Sequence, residues 1–143
     1  MKRGIDFVGV AVSCFCHDGA GNYMLEKRGA GARDEAGRWS PGGGSLEVGE
    51  TIIEAVQREV REEFCTTPTD IELMGYRDVM RDIDSVKTHW VLFDFRARVN
   101  RDEVAIGEPD MTDEIIWVKI KDIPEPMHSQ FPAYLEKYKN MLV

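Results

Sequence analysis

The sequence predicts an α/β protein in which a mixed β-sheet is covered by helices. Two strand patterns precede one amphipathic helical pattern, three strand patterns follow it, and a second helical pattern closes the chain. This order of strands, helix, strands and helix fits a mixed sheet with helices packed on it. A chain of 143 residues with 43% hydrophobic content has room for one sizeable core, so we expect residues 1–143 to form a single domain.

The first third of the chain predicts a hairpin followed by a loop. Residues 5–16 are rich in Val and alternate between two faces, and residues 23–27 form the return strand after a turn rich in Gly, Asp and Asn. Residues 29–40 are small, polar and rich in Gly, which predicts a mobile surface loop near a functional site. Cys14 and Cys16 point to one face of the first strand, where we expect them to pack as small hydrophobic side chains.

An acidic helical pattern after a run of glycines is the most informative stretch. Residues 44–63 contain six Glu and only two Arg. They begin at the last residue of the glycine run Gly42-Gly43-Gly44, which follows Pro41. The helix is predicted to begin at about Glu50 or Thr51 and to end at Phe64. Its buried stripe is predicted to consist of side chains three to four residues apart, namely Ile53, Val56, Val60 and Phe64.

The second half of the chain predicts three strands and a terminal helix. Residues 71–80 and 89–99 have strand patterns and are separated by a charged loop at 81–87, and residues 115–120 form a further strand. Residues 130–143 predict a helix. Its apolar face is predicted to consist of Phe131, Tyr134, Leu135, Tyr138 and Leu142.

Three carboxylates of the acidic helix predict a site for a hard metal ion. A rotation of about 100° per residue places Glu59, Glu62 and Glu63 within roughly a 100° arc of one helix face. Like charges this close repel each other unless a cation lies among them, and a hard divalent ion such as Mg²⁺ prefers oxygen ligands. A Glu-rich helix is more often only a solvated face. The glycine run and the neighbouring Arg58 favour the metal site here.

The acidic stretch resembles the signature box of the Nudix hydrolases, with the spacing Gly44-x5-Glu50-x7-Arg58-Glu59-Val60-x-Glu62-Glu63. The family pattern ends in x-Gly-apolar, whereas this chain has Phe64-Cys65-Thr66. Cys65 therefore either adopts the left-handed helix cap, at a cost of about 1 kcal/mol, or lets the helix end differently. The resemblance implies a Nudix-type α/β/α sandwich with a mixed β-sheet.

The resemblance also implies the metal ligands. Glu59, Glu62 and Glu63 would hold Mg²⁺, with Mn²⁺ as an alternative ion, and the main-chain carbonyl of Gly44 would be a further ligand. That contact requires the main chain of the glycine run to come close to the metal, which residues without a Cβ atom permit.

The catalytic residues expected from this resemblance are Glu59, Glu62 and Arg58. Glu59 is the first choice for the general base that deprotonates the attacking water. Some relatives place the base on a distant loop, for which this chain offers Glu103, Glu108 and Asp113. Arg58 has Glu54 as its i, i+4 neighbour and is expected to orient carboxylates by a charge-assisted hydrogen bond.

Arg28, Trp39 and Gly43 are the candidate substrate-binding residues. Arg28 resembles a phosphate-contacting position in many relatives, although an exposed salt bridge is an equal alternative. Trp39 resembles an aromatic residue that relatives place in this loop, where loop packing is favoured over base stacking. Gly43 belongs to the glycine run that approaches the site.

The substrate class follows from the resemblance rather than from the residues themselves. The positions that mark ADP-ribose or dinucleoside polyphosphate enzymes hold residues 81–84, Arg-Asp-Ile-Asp, in this chain, so both marks are missing. The sequence looks most like the MutT-type enzymes, which cleave (d)NTPs, including oxidised or non-standard ones, to NMP and pyrophosphate. The alternatives are ADP-ribose, NDP-sugar or dinucleotide hydrolysis, and a non-catalytic nucleotide-binding regulatory domain.

Charge and cysteine content bound the partners. The net charge of −8 disfavours binding of a long nucleic acid, so we expect a small nucleotide as the partner. Three cysteines without zinc spacing favour neither a disulfide framework nor a structural zinc site, which indicates a reducing compartment such as the cytoplasm. No segment reaches the roughly eighteen apolar residues of a membrane span. The oligomeric state stays open, with a homodimer as one alternative.

Overall fold

The computed structural model describes residues 1–142. Over this range the chain forms two α-helices, α1 (Ile52–Phe64) and α2 (Phe131–Tyr138). The seven strands are β1 (Gly9–His17), β2 (Tyr23–Arg28), β3 (Trp39–Ser40), β4 (Gly42–Ser45), β5 (Thr69–Ile83), β6 (Val86–Arg98) and β7 (Thr112–Val118). Within residues 1–142 no helix is both long and apolar enough to cross a membrane.

Strand β1 lies in the middle of the sheet and fixes the position of the glycine run. It pairs in parallel with β6 along its whole length and in antiparallel orientation with β4, from Ala11↔Ser45 to Cys14↔Gly42. The strands pair in the order β3-β2-β1-β6-β5, and β7 pairs with β2. One parallel pair among antiparallel pairs makes the sheet mixed, as the sequence predicts. Because β4 is held along β1, the glycine run lies beside α1.

Two hydrophobic clusters lie on opposite sides of the sheet. One joins α1 to side chains that include Val12, Cys14 and Cys16, and the other joins α2 to side chains that include Phe15 and Tyr23. Adjacent residues of a strand point to opposite faces, so the two helices cover opposite faces of the sheet. The predicted α/β/α sandwich is confirmed, and both cysteines pack in the core as predicted.

The β5–β6 hairpin is longer than the sequence predicts, and the predicted loop at 81–87 is wrong. The turn consists only of Asp84 and Ser85, whose φ angles are +51° and +67°. Pairing continues to Arg81↔Thr88 and Ile83↔Val86 on either side of it. Since β5 is the edge strand, an exposed charged side chain such as Asp82 is solvated without disturbing the backbone pairing, and a run of charges does not mark a loop here.

Several predicted boundaries are also wrong. The first strand begins at Gly9 rather than at residue 5, because the segment before it turns back on itself and the Gly4 N–H donates to the Phe7 carbonyl at 2.6 Å. Strand β3 ends the predicted loop 29–40 at Trp39, and β7 precedes the predicted range 115–120 by a few residues. Helix α2 stops at Tyr138, where the amides of residues 141 and 142 bond back to its carbonyl. Val143, the last residue of the predicted helix, lies outside the described residues.

Helix α1 is confirmed close to its predicted limits and begins with a capping box. Thr51 accepts a hydrogen bond from the Glu54 amide, and the Glu54 carboxylate accepts one from the Thr51 amide. The predicted stripe is wrong at one position, because Ile53 is exposed and Ala55 is buried in its place. The helix ends at Cys65 in the left-handed conformation, with a φ of +61°, so the family's glycine position keeps its backbone geometry here.

Replacing Cys65 by Gly is expected to leave stability unchanged or to raise it by up to about 1 kcal/mol. A left-handed φ is strained for a residue with a Cβ atom, and the Cys65 side chain is exposed, so little packing is lost. Thermal melting of the C65G and wild-type proteins measures this difference. A clear decrease in melting temperature would contradict the prediction and would mean that the thiol contributes packing.

Candidate active site

A cavity of about 670 Å³ lies where α1, β4, the loop at 29–38 and the β5–β6 hairpin meet. The acidic side chains that line the cavity include Glu26, Glu59, Glu62, Glu63 and Glu108. The basic side chains that line it include Arg28, Arg58, Arg77 and Arg81. Carboxylates and guanidinium groups therefore face one space, which suits a phosphate ligand accompanied by a cation.

Arg58 is the centre of the hydrogen-bond network on α1. Its guanidinium donates to Glu50 at 2.7 and 2.9 Å, to Glu59 at 2.8 Å and to Glu62 at 3.3 Å. It also donates to the Ser45 carbonyl at 3.0 Å, which connects the helix to β4, the glycine strand. The expected role in orienting carboxylates is supported, but the expected partner Glu54 is wrong because that side chain is used in the helix cap.

Glu63 is the most buried of the three predicted metal ligands. It is 6% exposed and accepts a hydrogen bond from the Gly43 amide at 3.1 Å. Burial, and then the neighbouring charges of Glu26 and Glu59, raise the pKa of Glu63 well above its ordinary value. The ionised form of this carboxyl is therefore unfavourable unless a cation lies next to it.

Glu26 is a site residue that the sequence reasoning missed. It is 6% exposed, accepts a hydrogen bond from the Thr112 hydroxyl at 2.9 Å and lies beside Glu63. Burial raises the pKa of Glu26 to about 7. Its sequence signal was a carboxylate in the middle of a strand pattern. Glu26 lies on the same strand face as Met24, which packs in the α1 cluster, so the pattern places a carboxylate on a buried face.

The raised pKa of Glu26 predicts a pH-dependent stability of the metal-free protein. The folded state keeps this carboxyl protonated up to about pH 7, whereas the unfolded chain loses the proton near pH 4.5, so stability falls as the pH rises between these values. Glu26→Gln removes the ionisation and is expected to be more stable than wild type at pH 8, by up to about 3 kcal/mol, with little difference at pH 4.5.

Urea unfolding with a chelator present measures this prediction at the two pH values. Glu114→Gln is the matched control, because Glu114 is an exposed carboxylate on β7, the strand paired with β2. An equal gain for Glu26→Gln at both pH values would contradict the prediction and would indicate a packing effect instead of an ionisation effect.

The glycine run is close to the acidic helix, as the resemblance implies. A Cβ atom built on Gly44 would lie 2.2 Å from Oε1 of Glu59, so any larger residue there would displace the Glu59 carboxylate. Glu63 lies beside Glu26 and Glu59, and their carboxylate oxygens are the donors that a hard divalent cation prefers. Glu59, Glu62, Glu63 and the Gly44 main chain stay the predicted ligands of such a cation.

Of the three distant candidates for the general base, the structure brings one into the cavity. Glu108 lines the cavity, and burial together with the charges of Glu59 and Glu62 raises its pKa. Glu103 is exposed and belongs to a separate surface groove with Arg98. Asp113 is exposed and lies near Gly29.

The three candidate substrate-binding residues have different surroundings. Arg28 lines the cavity and pairs with Asp34 at 2.7 Å, so it is neither exposed nor free of a protein partner. Trp39 is 7% exposed and packs in the α2 cluster, which agrees with the loop-packing alternative. Gly43 uses its amide to bind Glu63, and a Cβ atom there would lie 2.3 Å from the Val12 carbonyl.

Arg77 is a further cavity residue that the sequence reasoning missed. It forms two hydrogen bonds with the fully buried Asp94, at 2.6 and 3.0 Å. Asp94 also accepts hydrogen bonds from Ser13 and Tyr138, both at 2.6 Å. These contacts fix the guanidinium on the cavity wall. Sequence gives no signal for them, since Asp94 is surrounded by Phe and Arg in an ordinary strand pattern.

Fold and site together define a hydrolase of diphosphate bonds, in which an acidic helix and a glycine strand face arginine side chains. The family model for the NUDIX domain matches residues 8–138. The chain therefore belongs to the NUDIX family and is a MutT-like Nudix pyrophosphohydrolase. Nudix hydrolases generally use a divalent metal ion, in agreement with the donors found here.

Two curated relatives and one solved structure show the extent of the similarity. The chain is 34% identical over 116 residues to nucleoside triphosphatase NudI of Klebsiella pneumoniae, covering 72% of this chain and 77% of NudI. It is 34% identical over 90 residues to a nucleoside triphosphate pyrophosphatase/Nudix hydrolase fusion protein of Bifidobacterium longum, covering 63% of this chain but only 18% of the fusion protein. A MutT NUDIX hydrolase from Burkholderia pseudomallei has a TM-score of 0.81 and 26% identity, covering 92% of this chain and 98% of that chain.

Proposed function

We propose that this enzyme hydrolyses nucleoside triphosphates to nucleoside monophosphate and pyrophosphate, with Mg²⁺ as the cofactor. The observation that carries the proposal is that the carboxylates of α1 and the guanidinium groups of Arg28, Arg77 and Arg81 line one cavity. The similarity to NudI, which is named a nucleoside triphosphatase, supports this substrate class. The net charge of −8 favours a small nucleotide over a polymer.

The residues of the site have two roles in the proposed hydrolysis, namely binding the cation and positioning its ligands. Glu59, Glu62, Glu63 and the Gly44 carbonyl would hold the cation, and when bound it supplies charge stabilisation for the phosphoryl oxygens and the leaving pyrophosphate. Arg58 orients Glu59 and Glu62 through the hydrogen bonds described above. It is a positioning residue, because its guanidinium is occupied by protein carboxylates and the Ser45 carbonyl.

Glu59 is the residue we propose as the general base. Its carboxylate is fixed by Arg58 at 2.8 Å and lies beside the glycine strand, so it can accept a proton from a water molecule held at the phosphorus. Glu108 is the alternative base, since of the three candidates on distant loops it is the one that lines the cavity. Comparing the pH profiles of turnover for Glu59→Gln and Glu108→Gln identifies which of the two titrates in the reaction.

A mass-spectrometric product screen with Mg²⁺ tests the proposed function. The panel contains canonical and oxidised nucleoside triphosphates, ADP-ribose and nucleotide sugars, so the masses of the products report both the substrate and the bond cleaved. We expect nucleoside monophosphate and pyrophosphate from triphosphates, and no product from Glu62→Gln above background. Equal background from wild type and Glu62→Gln across the panel would contradict the proposal and favour a nucleotide-binding domain without catalysis.

We also propose that the enzyme works in the cytoplasm. Cys14, Cys16 and Cys65 are all free thiols, and a reducing compartment keeps them so. Fractionation of the producing cells, with detection of the untagged protein, tests this location.

A further inference from the structure

Two adjacent side chains of loop 29–38 lie on surfaces that have the chemistry of a nucleotide-binding site. Arg33 lies over the indole of Trp90, with its guanidinium carbon 5.0 Å from the ring centroid. Asp34, the next residue, places its carboxylate between Arg28 and Arg81. All five of these residues line the same cavity as the α1 carboxylates. A planar cation and an anion of the protein therefore occupy neighbouring positions in the proposed active site.

Trp90 is held as a fixed platform by the main chain beneath it. A Cβ atom at Gly4 would lie 2.2 Å from the indole nitrogen, and one at Gly9 would lie 2.5 Å from Cε3, so the backbone packs directly on the ring. A guanidinium stacks on an indole because it is planar and cationic. A nucleobase is also planar, has a larger surface than a guanidinium, and stacks on aromatic side chains. The surface under Arg33 thus suits the base of a nucleotide.

The surroundings of Asp34 suit an anionic oxygen group. Its Oδ1 lies 2.7 Å from Nη2 of Arg28, and its Oδ2 lies 2.5 Å from Nη1 of Arg81. His128 places Nε2 at 3.8 Å from Oδ1. A phosphate group carries more charge and more acceptor oxygens than a carboxylate, and arginine binds both groups through the same fork of N–H donors. Asp34 therefore occupies a position that a phosphate of the substrate can take.

Glu35 anchors the loop rather than completing a metal site. Its carboxylate lies 3.0 Å from Arg81 and 2.8 Å from Nε2 of His128, and it accepts hydrogen bonds from the amide and hydroxyl of Ser129 at 2.7 and 2.8 Å. Donor atoms of Asp34, Glu35 and His128 lie within 4.8 Å of one another. Arg81 pairs with both carboxylates and Arg28 pairs with Asp34, so two guanidinium groups already balance the two negative charges, and this cluster is a tether between the loop and the segment before α2.

We propose that Arg33 and Asp34 are internal occupants of a nucleotide subsite. In the complex, the base of a nucleoside phosphate takes the place of Arg33 on Trp90, and a phosphate group takes the place of Asp34 between Arg28 and Arg81. This inference rests on the proposed nucleotide substrate and adds that loop 29–38 must be displaced for binding. Only molecules with a displaced loop can bind the nucleotide. The apparent affinity for the nucleotide is therefore the intrinsic affinity multiplied by the fraction of such molecules.

Calorimetric titration of variants that remove the two occupants tests the proposal. It measures ligand binding to the full chain without metal. The probes are the four standard deoxynucleoside monophosphates and inorganic phosphate. Asp34→Asn is expected to tighten binding of both kinds of probe, by about threefold to tenfold. Arg33→Ala is expected to tighten binding of the deoxynucleoside monophosphate that binds wild type best, by a similar factor, and to leave inorganic phosphate without a gain.

Arg33→Ala is the decisive variant because simple electrostatics predicts the opposite result. Removing a positive charge near the cavity weakens the binding of an anion unless the side chain competes with the ligand. Asp82→Asn is the control for Asp34→Asn, since it makes the same charge change on an exposed side chain of β5 outside the residues that line the cavity. Unchanged or weaker nucleotide binding by Arg33→Ala would overturn the proposal. Triphosphate hydrolysis by wild type in the product screen stands or falls independently of this result.

Hydrogen exchange of the wild-type protein gives a second test that needs no substitution. In the free protein, the Gly31 amide donates to the Asp110 carbonyl at 2.7 Å and the Gly37 amide donates to the Arg28 carbonyl at 2.6 Å. If the ligand displaces the loop, amides of residues 30–37 are expected to exchange faster when a deoxynucleoside monophosphate is bound. Slower exchange of these amides in the complex would mean that the loop closes over the ligand, and it would overturn the proposal.

Discussion

Glu63→Gln is expected to lower turnover by at least about a hundredfold while the fold stays intact, because it removes a ligand charge from the proposed metal site. The same substitution is expected to raise the stability of the metal-free protein. Glu63 is almost fully buried beside Glu26 and Glu59, and the neutral amide removes a charge that burial and these neighbours disfavour. Turnover with saturating Mg²⁺ and urea unfolding with a chelator measure the two effects on one variant.

The opposite signs of the two effects make this prediction specific. A substitution that damages the fold lowers both activity and stability, whereas Glu63→Gln is expected to lower activity and raise stability. Glu103→Gln is a matched control, since Glu103 is an exposed carboxylate away from the cavity. We expect it to change neither quantity. Retained turnover in Glu63→Gln would show that the metal assignment is wrong.

Arg58→Lys is expected to raise the Mg²⁺ concentration needed for half-maximal turnover by about 10- to 100-fold. Arg58 donates hydrogen bonds to three carboxylates and to the Ser45 carbonyl at the same time. A lysine ammonium carries the same charge but has three donors on a flexible stem, so it cannot reproduce this planar arrangement. Glu59 and Glu62 would keep their charges and lose their fixed positions.

Titration of turnover with Mg²⁺ at saturating substrate separates this effect from a loss of chemistry. Arg61→Lys is the control, because Arg61 lies three residues further along α1 and is exposed. Circular dichroism of both variants checks that α1 is still formed. An unchanged Mg²⁺ dependence in Arg58→Lys would mean that the carboxylates are positioned without the guanidinium, and the role given to Arg58 would then be wrong.

The elements with strong local signals were predicted well. Helix α1 has an apolar stripe, a capping box and a run of Glu, all of which depend on residues three or four apart, so its limits followed from the sequence. The β1–β2 hairpin followed from alternating apolar residues around a Gly-rich turn. The β5–β6 hairpin was less well predicted, because charges on an edge strand and charges in a loop look the same in one dimension.

The candidate site was predicted most directly where its residues are close in the chain. Glu59, Glu62, Glu63 and Gly44 lie in one stretch, and their spacing has a direct geometric meaning on a helix. Glu26 and Glu108 reach the same cavity from other parts of the chain. Their contribution depends on the pairing of β2 with β7 and on the course of the chain after β6, which no local pattern specifies.

By itself, the sequence determined the α/β class, the acidic helix, and the presence of three carboxylates on that helix after a run of glycines. These features depend on residue types and short spacings, which act through local backbone geometry. Only the tertiary structure decided that Glu26 is buried against Glu63, that Arg58 binds Glu50 instead of Glu54, and that Asp34 lies between Arg28 and Arg81. The physical reason is that burial, pKa shifts and ion pairs depend on distances in space between side chains, and those distances are set by how the strands pair.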